Sequence, residues 1–141
     1  MKPILFLFTA FTLMGCTTQS SPRTDAPPIG EQQEKYENID SDELVEKMES
    51  KPGILLDVRS PDETRDGIIE GATTMDFYED DFKNRIMELD RDQPVYIYCA
   101  SGNRSGQTAK MLKDAGFEEV YNLEGGITEW EESGKPVIEE K

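Results

Sequence analysis

One cysteine, Cys99, separates an apolar run from an amphipathic run, and this arrangement restricts the fold more than any other feature. The apolar run at 95–98 is rich in β-branched and aromatic residues and follows Pro94, which predicts a buried strand. The run at 106–115 has helical spacing and is followed by Gly116, which predicts a helix that ends there. Cys99 is therefore expected at the carboxyl end of a strand and opposite a helix N-terminus, where free N–H groups and the helix dipole favour an anion or a thiolate.

Strands and helices are predicted to alternate along the rest of the domain. Asp40 and Glu43 have the spacing of a capping box, which predicts the first helix. The other predicted strands lie at 54–58, 72–77 and 120–123, and the other predicted helices begin at Ser60, near Phe82 and after Gly125-Gly126. Such alternation predicts an α/β fold with a mainly parallel sheet and helices on both faces. Ligands of such sheets bind beyond the carboxyl ends of the strands, which is where the cysteine is expected.

The charge of the chain argues against several classes of partner. The sequence has 30 Asp and Glu against 15 Lys and Arg, a net charge of −15. So acidic a surface disfavours nucleic acid, whose affinity comes largely from Lys and Arg contacts to phosphates. The sequence also has no histidine and only two cysteines, which removes Cys–His and Ser–His catalysis and the usual zinc ligands. We therefore expect no nucleic-acid partner, no metal ion and no cofactor.

The first 15 residues are predicted to be a signal peptide. Lys2 precedes an apolar stretch over 4–13 that is too short to span a membrane as a helix. Leu13-Met14-Gly15-Cys16 resembles a bacterial lipobox, although Met14 stands where a small residue is more usual. The resemblance implies that Cys16 is lipidated and becomes the mature N-terminus. An uncleaved apolar anchor and an ordinary secretory signal are the alternatives.

Lipidation of Cys16 would place the protein in the cell envelope of a bacterium, where acyl chains alone contact the membrane. Thr17, rather than an aspartate, follows this cysteine, which favours the periplasmic side of the outer membrane in a cell that has one. Residues 16–35 are rich in Thr, Ser, Gln and Pro, which predicts a flexible tether. The folded domain is predicted over 36–138, and 139–141 is predicted to be a short C-terminal tail.

Five segments stand in a specific order along the chain: the helix at 40–48, Leu55 to Glu63, Gly71-Ala72, the loop from Cys99 to Ser105, and Tyr121 to Ile127 with Trp130. Together these segments resemble the rhodanese family. The resemblance implies a five-stranded parallel sheet flanked by helices, with the active-site loop between the fourth strand and its helix. It also implies transfer of sulfane sulfur through a cysteine persulfide. One departure is Gly67-Ile68-Ile69-Glu70-Gly71-Ala72, because the family often has Gly-His-Ile-Pro-Gly-Ala there, and this concerns packing more than chemistry.

The loop suggests how a thiol is activated without a histidine. A thiol is a good nucleophile only as a thiolate, so its surroundings must lower its pKa. Backbone N–H groups that curl around the sulfur, together with the helix dipole, would do so. Gly102 permits a backbone conformation that a side chain would resist, and Arg104 adds a positive charge. The hydroxyls of Ser101 and Ser105 add donors. The loop residues after Cys99 are Ala100, Ser101, Gly102, Asn103, Arg104 and Ser105.

Each of these residues also has a plainer interpretation. A lone cysteine is most often a small buried hydrophobe. Arg104 either stabilises the substrate or the loop, or forms an ordinary ion pair. Ser105 is either a hydrogen-bond donor to the sulfur or only the N-cap of the helix. Asp57 and Arg59 match the family's Asp-x-Arg, and we expect them to brace the site by ion pairing rather than to touch substrate.

The predicted reaction has two steps. The Cys99 thiolate takes the outer sulfur of a small donor such as thiosulfate, and a thiophilic acceptor such as a cellular thiol then takes that sulfur from the persulfide. If Cys16 is lipidated, Cys99 has no second protein thiol beside it, so a thiol reductant protein is a possible further partner.

Two other functions are open at this point. A non-enzymatic persulfide carrier or a membrane-tethered binding module is one alternative, because the acidic chain repels anionic thiosulfate. A Cys-dependent phosphatase or arsenate reductase is less favoured. Four residues separate Cys99 from Arg104, one fewer than in Cys-dependent phosphatases, so the loop fits a sulfur atom better than a phosphate.

Overall fold

The computed structural model describes residues 35–140, and these form an α/β fold around one five-stranded sheet. The sheet order is β1-β5-β4-β2-β3, and every neighbouring pair is parallel. This confirms the predicted fold class. The predictions for 1–34 lie outside the described residues. The strands are β1 (Lys35–Ile39), β2 (Ile54–Asp57), β3 (Thr73–Thr74), β4 (Val95–Tyr98) and β5 (Glu119–Leu123), and the helices are α1 (Ser41–Ser50), α2 (Pro61–Thr64), α3 (Phe82–Met87), α4 (Asn103–Asp114) and α5 (Gly126–Glu132).

Strand β4 is the middle of the sheet, and all four of its residues are buried. Successive side chains of a strand point to opposite faces. Val95 and Ile97 accordingly pack with apolar residues of α3 and α4, whereas Tyr96 and Tyr98 pack with those of α1 and α5. Helices therefore cover both faces, as predicted, and each fully buried large apolar side chain contributes about 1.5–3 kcal/mol relative to exposure.

The helices begin where side chains satisfy their free N–H groups. At α1 the Asp40 carboxylate accepts hydrogen bonds from the amides of Asp42 and Glu43, at 3.0 and 2.9 Å. The Glu43 carboxylate in turn accepts one from the Asp40 amide at 3.0 Å. This confirms the predicted capping box.

No helix within residues 35–140 is long and apolar enough to cross a membrane.

Sequence patterns do not indicate β1, because only Ile39 of its five residues is buried and no apolar alternation is present. The strand forms through its backbone, which pairs with β5 from Lys35 opposite Glu119 to Ile39 opposite Leu123. Lys35 therefore belongs to the sheet, whereas the sequence predicted it as the last residue of the tether.

Two predicted boundaries are wrong. The strand predicted over 72–77 is only two residues long, because the chain then turns at Asp76, whose carboxylate accepts a hydrogen bond from the Tyr78 amide at 2.9 Å. Helix α4 begins at Asn103 rather than after Ser105. The last three residues of the predicted loop therefore form the first turn of the helix.

The end of the described chain folds back onto the segment that follows β2. Ile138 and Ile68 exchange two backbone hydrogen bonds of 2.8 Å. The Glu140 carboxylate accepts hydrogen bonds from the hydroxyls of Thr64 and Thr74, at 2.7 and 2.6 Å. Ile68 stands where the rhodanese pattern often has histidine, and it is buried. An apolar residue therefore fills this position in the packing.

Candidate active site

Cys99 lies at the carboxyl edge of the sheet, directly after β4. Because the strands are parallel, the ends of β2 and β5 reach the same edge, and Asp57 at the end of β2 is the register partner of Tyr98. Only the four residues 99–102 connect β4 to α4. A connection this short holds the cysteine against the N-terminus of α4.

The Cys99 sulfur lies among hydrogen-bond donors. Its residue is only 1% exposed, and the Ser105 hydroxyl donates to Sγ at 3.4 Å. Burial raises the pKa of the thiol, but the Ser105 hydroxyl and the backbone amides of Ser105, Ser101 and Arg104 lower the pKa by more. The pKa of Cys99 therefore lies below its ordinary value, and the thiolate is favoured without a general base.

The conformation of Gly102 turns the loop into the helix. Gly102 has a φ of +85° and is the N-cap of α4. A Cβ atom at this position would lie 1.9 Å from the carbonyl oxygen of Glu124, so only glycine fits. Ser105 lies inside the helix and is fully buried. The interpretation of Ser105 as the N-cap is therefore wrong, and its hydroxyl faces the sulfur instead.

The start of α5 binds the outer side of the loop. The Ile127 amide donates to the Cys99 carbonyl at 2.9 Å, and the Thr128 amide and hydroxyl donate to the Ala100 carbonyl at 3.2 and 2.9 Å. Gly126, with a φ of +60°, permits this approach, because a Cβ atom there would lie 2.5 Å from both carbonyl oxygens. These carbonyls therefore have partners while the loop amides face the sulfur. Sequence patterns missed Thr128, and the adjacent glycines after a strand were the only signal of a close approach.

Arg104 forms a two-armed ion pair with Glu63. Its Nη1 and Nη2 atoms lie 2.7 and 2.6 Å from the two carboxylate oxygens. Glu63 also accepts hydrogen bonds from the amide and hydroxyl of Ser60, at 3.0 and 2.9 Å. The bonds from Arg104 are the main reason that the pKa of Glu63 falls to about 2, against the effect of burial. Arg104 is therefore an ion-pair residue here, and the sequence did not predict Glu63 as its partner.

Asp57 and Arg59, which the sequence predicted as an ion pair, are in contact and buried. The Arg59 Nη2 lies 2.7 Å from Asp57 Oδ2, and its Nε lies 3.0 and 3.1 Å from the two carboxylate oxygens. Arg59 also donates to the backbone carbonyls of Gly67 and Glu63, at 2.7 and 3.2 Å. The pair thus ties the segment after β2, which includes Glu63, to the end of that strand.

The remaining loop residues differ in how they face the sulfur. Ser101 contributes its backbone amide to the thiol. The Asn103 side chain instead accepts a hydrogen bond from Gln107 at 2.8 Å, one turn further along α4.

Within residues 35–140, no group of three or more Cys, His, Asp or Glu side chains is arranged to hold a metal ion. Cys16 lies outside the described residues.

Fold and site together define a protein with one cysteine held by backbone amides at the edge of a parallel sheet. Residues 40–133 match the family described as Rhodanese-like domain, and the chain belongs to this family. A relative named sulfurtransferase, from Allochromatium vinosum, is 36% identical over 101 residues, which are 71% of this chain and 92% of the relative. A relative named thiosulfate sulfurtransferase GlpE, from Pseudoalteromonas translucida, is 29% identical over 104 residues, or 74% and 97% of the two chains.

A solved structure confirms the assignment of the fold. The rhodanese-related protein from Thermoplasma volcanium matches with a TM-score of 0.65 and 32% sequence identity. The match covers 74% of this chain and 100% of the other. The chain is thus a rhodanese-like domain with sulfurtransferase relatives.

Proposed function

We propose that the protein is a sulfurtransferase that moves sulfane sulfur from a donor such as thiosulfate to a thiophilic acceptor through a persulfide on Cys99. The observation that carries this proposal is the position of Sγ, which accepts from the Ser105 hydroxyl and from loop amides so that the thiolate is favoured. The family membership and the names of the relatives support it.

In the first step, the Cys99 thiolate attacks the outer sulfur of thiosulfate. A new S–S bond forms, the S–S bond of thiosulfate breaks, and its electron pair leaves with sulfite. In the second step, an acceptor thiolate attacks the outer sulfur of the persulfide, and the Cys99 thiolate leaves with the electron pair of the broken bond. Neither step needs a redox cofactor. The loop donors stabilise Cys99 as nucleophile in the first step and as leaving group in the second.

A persulfide carrier loaded by another protein is a second candidate, and one observation favours it. The chain carries a net charge of −15, which repels an anionic donor such as thiosulfate. Steady-state turnover with thiosulfate and cyanide separates the candidates. An enzyme turns over many times, whereas a carrier shows negligible turnover and is loaded by its partner. Phosphatase chemistry is not favoured, because Glu63 already occupies the terminal nitrogens of Arg104.

Intact-mass measurement of the folded protein after incubation with thiosulfate tests the first step. We expect the mass of wild type to rise by one sulfur atom and the mass of Cys99→Ser to stay unchanged. Cyanide should then remove the added mass. No gain in wild type would contradict the mechanism.

We further propose that the protein is exported and lipidated on Cys16, which would place the domain in the cell envelope. The lipobox-like motif and the short apolar stretch before it support this. Incorporation of labelled fatty acid into full-length wild type, but not into Cys16→Ser, is the expected result. A thiol reductant protein in the same compartment would keep Cys99 reduced, because a thiol with a lowered pKa is readily oxidised in an oxidising environment.

A further inference from the structure

The positive charge of Arg104 is neutralised by a neighbouring carboxylate. Both terminal nitrogens of Arg104 bind the Glu63 carboxylate, at 2.7 and 2.6 Å. The Arg104 side chain is 15% exposed, and that of Glu63 is 35% exposed. The pair is therefore partly shielded from water, and an incoming anion would have to compete with a carboxylate for the guanidinium.

The surroundings of Arg104 make this competition harder. The Tyr78 ring lies 5.7 Å from the guanidinium carbon and is itself 70% exposed. The Glu63 carboxylate is further fixed by the amide and hydroxyl of Ser60. Moving the Glu63 carboxylate away from Arg104 would therefore also cost its hydrogen bonds from Ser60.

The charged groups at the loop are the Cys99 thiolate and two ion pairs. The Cys99 thiolate and Glu63 each contribute one negative charge, and Arg104 contributes one positive charge. The nearby Asp57–Arg59 pair is buried and neutral in sum. Glu63 thus cancels the positive charge that Arg104 would otherwise offer to a dianion such as thiosulfate.

We propose that Glu63 is a specificity-determining residue, which neutralises Arg104 and thereby weakens the preference of Cys99 for anionic over neutral sulfur compounds. This inference rests on the proposed function for its biological meaning. Its physical content, a weaker attraction of anions to Cys99 when Glu63 is present, can be measured without any sulfur transfer.

The test compares two alkylating agents of similar size, iodoacetate, which is negatively charged, and iodoacetamide, which is neutral. Their second-order rates with Cys99 give a ratio that reports the local charge. We expect Glu63→Gln to raise the iodoacetate-to-iodoacetamide ratio by roughly tenfold over wild type. The variant leaves the positive charge of Arg104 without its partner, and one unpaired charge close to the thiolate has an effect of that order on an anion. Asp62→Asn is the matched control, because it makes the same change of net charge at the next residue, where the side chain is 83% exposed and pairs with Arg65. It should change the ratio by less than about twofold.

A ratio that is equal in Glu63→Gln and Asp62→Asn would overturn the inference. The double variant Glu63→Gln/Arg104→Gln should return the ratio toward wild type, because the freed positive charge is then absent. Should Glu63→Gln fail to fold, Arg104→Gln tests the same pair from the other side. This variant leaves the Glu63 charge without its partner, so the ratio should fall below that of wild type, and added salt should reduce the difference. An unchanged ratio in Arg104→Gln would contradict the inference.

The same variants connect the inference to the proposed function. Glu63→Gln should raise kcat/KM for thiosulfate by at least the factor seen for iodoacetate, because thiosulfate carries two charges. If neither wild type nor Glu63→Gln takes sulfur from thiosulfate while the alkylation ratio shifts as expected, the proposed reaction is wrong and the role of Glu63 stands. If sulfur transfer occurs and the alkylation ratio does not shift, the proposed function stands and the proposed role of Glu63 is wrong.

Discussion

Two arginine–carboxylate pairs lie beside the loop, and they have the same chemistry in different surroundings. The Asp57–Arg59 pair is almost fully buried, with side chains 0% and 5% exposed. The Glu63–Arg104 pair is partly exposed, at 35% and 15%. Arg59 uses further nitrogen atoms on backbone carbonyls, whereas both terminal nitrogens of Arg104 are taken by one carboxylate.

The difference shows that burial, rather than the ion pair itself, decides what such a pair does. A desolvated pair is costly to break, because either charge is left alone inside the protein. A pair that water reaches adds little stability, and its main effect is the electric potential that it creates nearby. Glu63 joins the two, since its backbone carbonyl accepts from Arg59 and its carboxylate binds Arg104.

The largest expected effect is on the buried pair. Arg59→Met should lower the free energy of unfolding by about 3–5 kcal/mol, because it leaves the Asp57 carboxylate buried without its partner. Urea unfolding followed by circular dichroism measures this. Arg65→Met is the matched control, because Arg65 pairs with Asp62 on the exposed surface and its loss should cost below about 1 kcal/mol. Equal losses in both variants would show that burial does not distinguish the pairs.

The second prediction concerns the hydrogen-bond donors that contact the sulfur, which act on the pKa of Cys99 and are distinct from the two ion pairs. Ser105→Ala should raise the pKa of Cys99, because it removes a hydrogen bond to the thiolate. The pH dependence of alkylation by iodoacetamide gives this pKa, and the rate at a pH below it should fall. Ser101→Ala should leave the pKa unchanged, because Ser101 acts through its backbone amide. A similar rise in both variants would contradict this assignment.

Arg104→Met should have a smaller effect on stability than Arg59→Met. We expect a loss of about 1 kcal/mol or less, because solvent screens the pair and Glu63 keeps its bonds to Ser60. The same urea experiment measures it. A loss as large as that of Arg59→Met would mean that the Arg104 pair is part of the scaffold.

The smallest effect is a pH dependence. Glu63 has a pKa of about 2 in the folded protein against an ordinary value of 4.5, so its ion pair stabilises the fold fully above pH 4.5 and less as the pH falls toward 2. Wild type should therefore exceed Glu63→Gln in stability at neutral pH by about 0.5 kcal/mol or less, given the exposure of Glu63. Urea unfolding between pH 7 and pH 3 should show this difference shrinking. A constant difference would indicate that the charge of Glu63 is not its cause.

The parts of the fold that the sequence predicted are the ones with local signals. The apolar run before Cys99, the glycine at 102 and the capping box at Asp40 each depend on neighbours a few residues away. The Arg104–Glu63 contact joins residues 41 positions apart, and nothing near either residue indicates the other. The polar strand β1 and the bond from Thr128 to the loop likewise depend on tertiary pairing, so their positions became visible only in the folded chain.

The parallel sheet also separates the start of its first strand from the reactive cysteine. The described segment begins with β1 at Lys35, at the amino edge of the sheet, and Cys99 stands at the opposite edge, where the strands end. Any partner that exchanges sulfur with Cys99 must therefore bind at the carboxyl edge, on the side of the sheet opposite Lys35.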